Sequence, residues 1–290
     1  MDGSENILGF VSKLPHILAG ESLRSLIRAL LYARTSGKAM IWGIGGHVVK
    51  VGLGPVICDL MHSGFVTGIA MNGSAAIHDF EVALRGMTSE EVEEQLGEGR
   101  FGMARETAEY MNAGINYAAA NGIGLGEGLG RCMVKNDDGN VVFEHPTMSI
   151  LTQAYILKVP VTVHVAIGTD TIHAHPQTSG TALGEASYRD FRLFCSMTRD
   201  LDGGGVYLNV GSAVVLPEVF LKAVSVVRNL GCSLEEFTTV NLDFIQHYRP
   251  TQNVLKRPTQ RSGQSIALTG HHEIMIPLIA AALKGSIETA

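Results

Sequence analysis

The pattern that most restricts the fold is an alternation of short, continuous apolar runs with longer amphipathic stretches. The runs Lys38–Gly43 (KAMIWG), Val66–Met71 (VTGIAM), Val161–Ile167 (VTVHVAI), Val206–Val210 (VYLNV), Thr238–Leu242 (TTVNL) and Ser265–Leu268 (SIAL) are β-branched-rich and bounded by Gly, Asn or Pro. Such runs predict strands covered on both faces. Helices are predicted between them over Ser22–Arg34, Leu53–His62, Ala76–Arg85, Thr88–Leu96, Arg105–Ala120, Met148–Leu157, Gly184–Arg199, Pro217–Leu230 and Glu273–Lys284. The Thr88 helix opens with Ser/Thr-x-x-Glu capping chemistry. Strands alternating with helices predict an α/β fold, a doubly wound, mainly parallel sheet with helices on both faces. Residues 1–290 read as a single domain, with an insertion or lid at about 97–145 carrying a hairpin at Asp138-Gly139.

Composition narrows the partners. Glycine accounts for 34 of 290 residues and charged residues for 17%, against about 7% and about 25% in ordinary soluble domains. So few charges point to surface hidden in a homo-oligomer. Lys plus Arg is 22 against 28 for Asp plus Glu, a net charge of −6, which gives no footprint for nucleic acid or acidic membranes. No apolar run reaches the roughly 18 residues of a membrane span, and the start MDGSENILGF lacks the basic region of a signal peptide. Four scattered cysteines suit reduced thiols, so a cytoplasmic protein acting on a small molecule is expected.

In such a sheet, ligands collect beyond the carboxyl ends of the strands. The turn Asn72-Gly73-Ser74-Ala75 leads from a strand into a helix carrying His78, Asp79 and Glu81. Its small residues suit a phosphate or a ring at the helix start, while the acids equally suit the helix dipole. GIGLGEGLG, Gly122 to Gly130, follows a helix rather than a strand and reads as a flexible loop. Asp170 follows a strand and is placed to bind a hydroxyl or amine. His173 and His175 offer an alternative, zinc, with His164, Asp170 or His271 completing a set. Gly211 and Ser212 end the fourth run, and Asn241 lies in the fifth. Lys256 is an imine-forming lysine if burial lowers its pKa, or part of a solvated basic loop.

The order of these strand-end loops resembles the deoxyhypusine synthase-like family, a Rossmann-type fold that binds NAD. Asp59–Leu84 is similar to that family's strand, Gly-rich NAD turn and helix, with an acidic-Phe step at Asp79-Phe80. Val159-Pro160-Val161 with Gly168-Thr169-Asp170 resembles its Ile-Pro-Val strand and Thr-Asp turn, Gly205–Val215 its Gly-rich strand end, and Ser265–Leu283 its last strand and helix. Departures limit the function. The family's Thr-Thr-Ala-Gly-Gly turn is Met71-Asn72-Gly73-Ser74-Ala75 here, and the following acidic pair is Ile77-His78. Its Lys-His-His step, which supplies a catalytic histidine, is Val215-Leu216-Pro217, and its acidic polyamine loop is His247-Tyr248-Arg249-Pro250. Loss of those acids argues against a polycationic substrate.

Ala76–Glu81 is also similar to the Ala-x-His-Asp-x-Glu run of archaeal-type ornithine cyclodeaminases. The resemblances imply NAD along Asn72, Gly73, Ser74 and Ala75, with Asp170, Gly211, Ser212 and Asn241 also on the cofactor. They imply oxidation of an amine or hydroxyl using His78, Asp79 and Lys256, and a homotetramer. A zinc hydrolase and a non-catalytic nucleotide sensor are the rival expectations.

Overall fold

The structure, a computed structural model, describes residues 7–135 and 143–288; the hairpin expected at Asp138-Gly139 lies outside them. In chain order the elements begin with α1 (Ile7–Ser12), α2 (Leu18–Thr35), β1 (Met40–Ile44), α3 (Gly46–Lys50), α4 (Gly54–His62), β2 (Gly68–Asn72) and α5 (Gly73–Arg85). Next come α6 (Val92–Gly97), α7 (Arg105–Ala120), α8 (Leu125–Lys135), α9 (Ile150–Leu157), β3 (Val161–His164), α10 (Gly180–Arg199) and β4 (Val206–Val210). The chain closes with α11 (Val215–Asn229), β5 (Thr238–Asp243), the short α12 (Tyr248–Pro250), β6 (Gln264–Thr269) and α13 (His272–Glu288).

All six predicted strands form, and they build one parallel sheet in the order β3-β2-β1-β4-β5-β6. This is the doubly wound order, in which the connection direction reverses between β1 and β4. β1, β4 and β5 are buried along their whole length, as continuous apolar runs require. β6 alternates at its buried positions, Ile266 and Leu268, as an edge strand does. β3 stands at the opposite edge, and its outward backbone is satisfied by side chains. Asp190 Oδ2 accepts from Val163 N–H at 2.7 Å, and Ser187 Oγ donates to Val163 O at 2.9 Å. That closure removes the free edge on which another strand could pair.

Two compact units emerge. One holds the chain up to Ile44, Asp59–Gly68 and everything from Cys195 on; the other holds Gly45–Cys58 and Ile69–Phe194. In the first, Trp42 is fully buried on β1 and donates through Nε1 to Phe65 O at 3.1 Å. In the second, the described part of the 97–145 stretch contains α7 and α8, each burying one face.

Two local expectations are corrected. The run Gly122–Gly130 is not a flexible loop, because α8 occupies most of it. A side chain at Gly128 would strike Ala118 of α7, and one at Gly130 would crowd the carbonyl of Leu151 on α9. Glycines there permit close helix approach, and that packing overrides their poor helix propensity. The helix expected from Thr88 begins at Val92 instead. Ser89 has φ of +80°, which a non-glycine residue adopts only under constraint. The Thr88 hydroxyl is engaged elsewhere.

Candidate functional site

In the second unit, β2 delivers the chain directly into α5. Asn72 caps that helix, its Oδ1 accepting from Ala75 N–H at 2.9 Å. Gly73 follows because the Asp170 carboxylate stands where a side chain would go. A carboxylate is favourable at this positive helix end. It also fills the place where an anionic phosphate was expected, so the Asn72–Ala75 turn does not fit a pyrophosphate as it stands.

One turn further along α5, His78 and Glu81 share a face, as their three-residue spacing requires. His78 Nδ1 lies 2.6 Å from Thr88 Oγ1, and Thr88 Oγ1 donates to Glu81 Oε2. Thr107, on α7, donates to Glu81 Oε1 at 3.3 Å. The direct His78 Nδ1 to Glu81 Oε2 distance is 3.7 Å. Burial pushes the Glu81 carboxyl up, but the neighbouring His78 imidazole and the Thr88 and Thr107 hydroxyls outweigh it and hold the group below its ordinary value. His78 and Glu81 line a cavity of about 250 Å³ with Lys50, Ser74, Glu90 and Asp170. Burial raises the Asp170 carboxyl, although His173 and the Thr169 hydroxyl pull the other way.

Asp79 is placed differently from its neighbour. It is fully buried, accepting from Ser149 Oγ at 2.6 Å, Ile150 N–H at 2.7 Å and Leu151 N–H at 2.9 Å. Its carboxylate caps α9 and does not line the cavity. Burial lifts its pKa to about 6 against the pull of those three donors. The expected catalytic role gives way to helix capping, because the donors claim both oxygens.

The histidine pair also serves the backbone. His173 Nδ1 accepts from Gly168 N–H at 3.1 Å, and its Nε2 lies 3.8 Å from Asp170 Oδ2. His175 Nδ1 accepts from Gln177 N–H at 3.3 Å. Among the described residues no three His, Cys, Asp or Glu side chains converge as a metal site, so the zinc alternative lacks a ligand set.

In the first unit, the carboxyl ends of β4 and β5 carry an amide chain. Asn209 and Asn241 are paired in register. Asn209 Nδ2 donates to Asn241 Oδ1 at 2.8 Å and to Ser212 O at 2.9 Å; Asn241 Nδ2 donates to Gln246 Oε1 at 2.8 Å. Asn209 Oδ1 is buried without a partner, an acceptor that a ligand donor would satisfy. Gly211 leaves β4 with φ of +66°, and Ser212 Oγ accepts from Leu216 N–H at the start of α11. Asn209 and Ser212 are buried at the strand end, and Asn241 is committed to its neighbours. The strand end Asn209–Ala213 and the loop holding Gln246 both stand out in the sequence; the hydrogen bonds that join Asn209, Asn241 and Gln246 do not.

Lys256 is exposed on a π-helical turn, Thr251–Lys256. The burial expected of an imine-forming lysine is missing there, and the segment is helical rather than the solvated loop of the alternative reading.

No protein-family model and no curated protein matches this sequence. Solved structures do match. A conserved Methanococcus maripaludis S2 protein provisionally named LOR/SDH aligns over 93% of this chain and 71% of its own, with a TM-score of 0.57 and 15% identity. AgrE, solved in ternary complex with ornithine and NAD+, aligns over 92% of this chain with a TM-score of 0.58 and 15% identity. The chain spans 33% of that longer protein. An Entamoeba histolytica protein provisionally named a deoxyhypusine synthase aligns over 98% of this chain and 95% of its own, with a TM-score of 0.54 and 13% identity. At such identities the likeness is one of fold. The chain has the deoxyhypusine synthase-like fold, a parallel Rossmann-type sheet, in a far-diverged sequence.

Proposed function

We propose that the protein is an NAD-dependent enzyme that oxidises a small amine or hydroxyl compound. The observation that carries this reading is the cavity in which His78 stands among the carboxyl groups of Glu81, Glu90 and Asp170. At about 250 Å³ it is below the roughly 300–1,000 Å³ of ordinary ligand pockets, so it suits a small substrate rather than a dinucleotide. NAD supplies the hydride acceptor, a role suggested by the fold shared with AgrE.

Within the cavity, Glu90 and Asp170 are suited to hold an ammonium group, and His78 to take the proton released as the C–H bond is oxidised. Ser74 offers a hydroxyl to the same space.

Two measurements test the reading. Titration with NADH, followed by nicotinamide fluorescence, is expected to saturate; a flat titration at millimolar cofactor removes the proposal. Reduction of NAD across a panel of small amines, alcohols and amino acids, ornithine included, identifies the substrate. Saturable binding with no turnover across the panel turns the reading toward a nucleotide sensor.

A further inference from the structure

We infer that Thr88 is a positioning residue that fixes which nitrogen of His78 carries the proton, leaving Nε2 as the ring's acceptor. This deepens the reading above and rests on His78 acting as the base, although its test reads the imidazole itself.

The argument is one of donor and acceptor counting. An ionised carboxylate only accepts, and a hydroxyl has a single proton to give. Thr88 gives its proton to Glu81. Its contact with His78 Nδ1, at 2.6 Å, can then be made only by accepting. A neutral imidazole has one N–H, so that proton resides on Nδ1 and the lone pair on Nε2. Glu81 cannot impose this arrangement alone, because 3.7 Å exceeds hydrogen-bonding distance. Thr88 is the connecting atom, and Thr107 steadies the far carboxylate oxygen.

The backbone is shaped to bring Thr88 there. Gly86 ends α5 in the left-handed conformation with φ of +72°. Ser89 takes φ of +80° immediately after Thr88, a strained conformation that persists only where surroundings dictate it. Beyond Thr88 the same segment supplies Ser89, Glu90, Val92 and Phe101 to the cavity wall. Its helix α6 buries none of its own residues, so packing of α6 does not explain the turn. One stretch of chain therefore supplies both part of the cavity wall and the group that sets the protonation form of its base. The other charged groups facing His78 across the cavity are Lys50, Glu90 and Asp170.

The full chain, labelled with 15N-histidine, tests this by long-range 1H–15N correlation at a pH where His78 is neutral. A His78→Gln spectrum assigns the signals. The expected wild-type pattern is a protonated Nδ1 and an unprotonated Nε2. Thr88→Ser is expected to keep it. Thr88→Val is expected to lose it, with the proton shifting to Nε2 or dividing between the nitrogens. Glu81→Gln is expected to reverse it, since Thr107 donates to the carboxamide oxygen and turns the amide N–H toward Thr88, which then donates to Nδ1. A wild-type proton on Nε2 overturns the inference, and so does an unchanged pattern in both Thr88→Val and Glu81→Gln. If Thr88→Val does not fold, the wild-type pattern and Glu81→Gln still decide. A flat NADH titration with the expected tautomers removes the proposed function and leaves this inference standing.

Discussion

Asp190 lies fully buried on α10, with Oδ2 accepting from the amides of Gly126 and Val163 while Oδ1 has no partner. Burial is the main cause lifting its pKa to about 7, with the Glu127 charge adding, and the backbone donors pull back only part of the way. A pKa raised in the folded state contributes stability that is present at low pH and lost as pH rises through the folded value. Asp190→Asn removes the ionisation and keeps an oxygen to accept from the Gly126 and Val163 amides. It is expected to match the wild type near pH 5 and to exceed it in unfolding free energy by about 1–3 kcal/mol near pH 8. Denaturant titrations at the two pH values check this, and an equal difference at both would refute it. For His78, loss of a positioned base is expected to lower kcat by about 10²–10⁴. His78→Gln, assayed on whichever substrate reduces NAD, measures it.

At the scale of elements, capping and close approach explain most of what local pattern misassigned. Asn72 was expected on a cofactor and is found capping α5. Asn72→Ala should cost about 1 kcal/mol in thermal or denaturant unfolding, and Asn72→Asp should cost little, because Asp is an equivalent cap. If Asn72→Asp retains stability but loses NADH binding, the residue also serves the cofactor. Gly128 tests the helix contact. Ala118 and the Gly114 carbonyl stand where its side chain would go. Gly128→Val is therefore expected to destabilise by about 1–3 kcal/mol, despite replacing a glycine within a helix. Asp79 and Thr88 share one lesson. Thr88 reads in the sequence as helix capping and Asp79 as a helix-dipole complement or a catalytic acid, and each spends its polar atoms on a partner that the sequence does not place beside it.

For the whole molecule, low charge has an observable consequence. Val134, Ile156 and Leu193 are exposed apolar side chains lining one cleft of the second unit, and exposed apolar surface of this kind marks association sites. Sedimentation equilibrium is expected to give a mass above the 31.0 kDa of one chain. Ile156→Glu should shift it downward, and a monomer in the unaltered protein would refute the expectation.

Periodicity and composition alone determined the α/β class, the six strands and most helix positions. Both depend on which faces of a segment avoid water, and a linear pattern records that directly. The strand-to-helix turn before His78 was legible too, because it announces itself by small residues. Tertiary structure decided the strand order, the helical identity of Gly122–Gly130 and the different surroundings of His78 and Asp79. It also joined Thr88 and Thr107 to Glu81 and paired Asn209 with Asn241. Those outcomes rest on hydrogen-bond partners and backbone approaches between residues far apart in the chain, and no local propensity encodes a partner that only folding brings near.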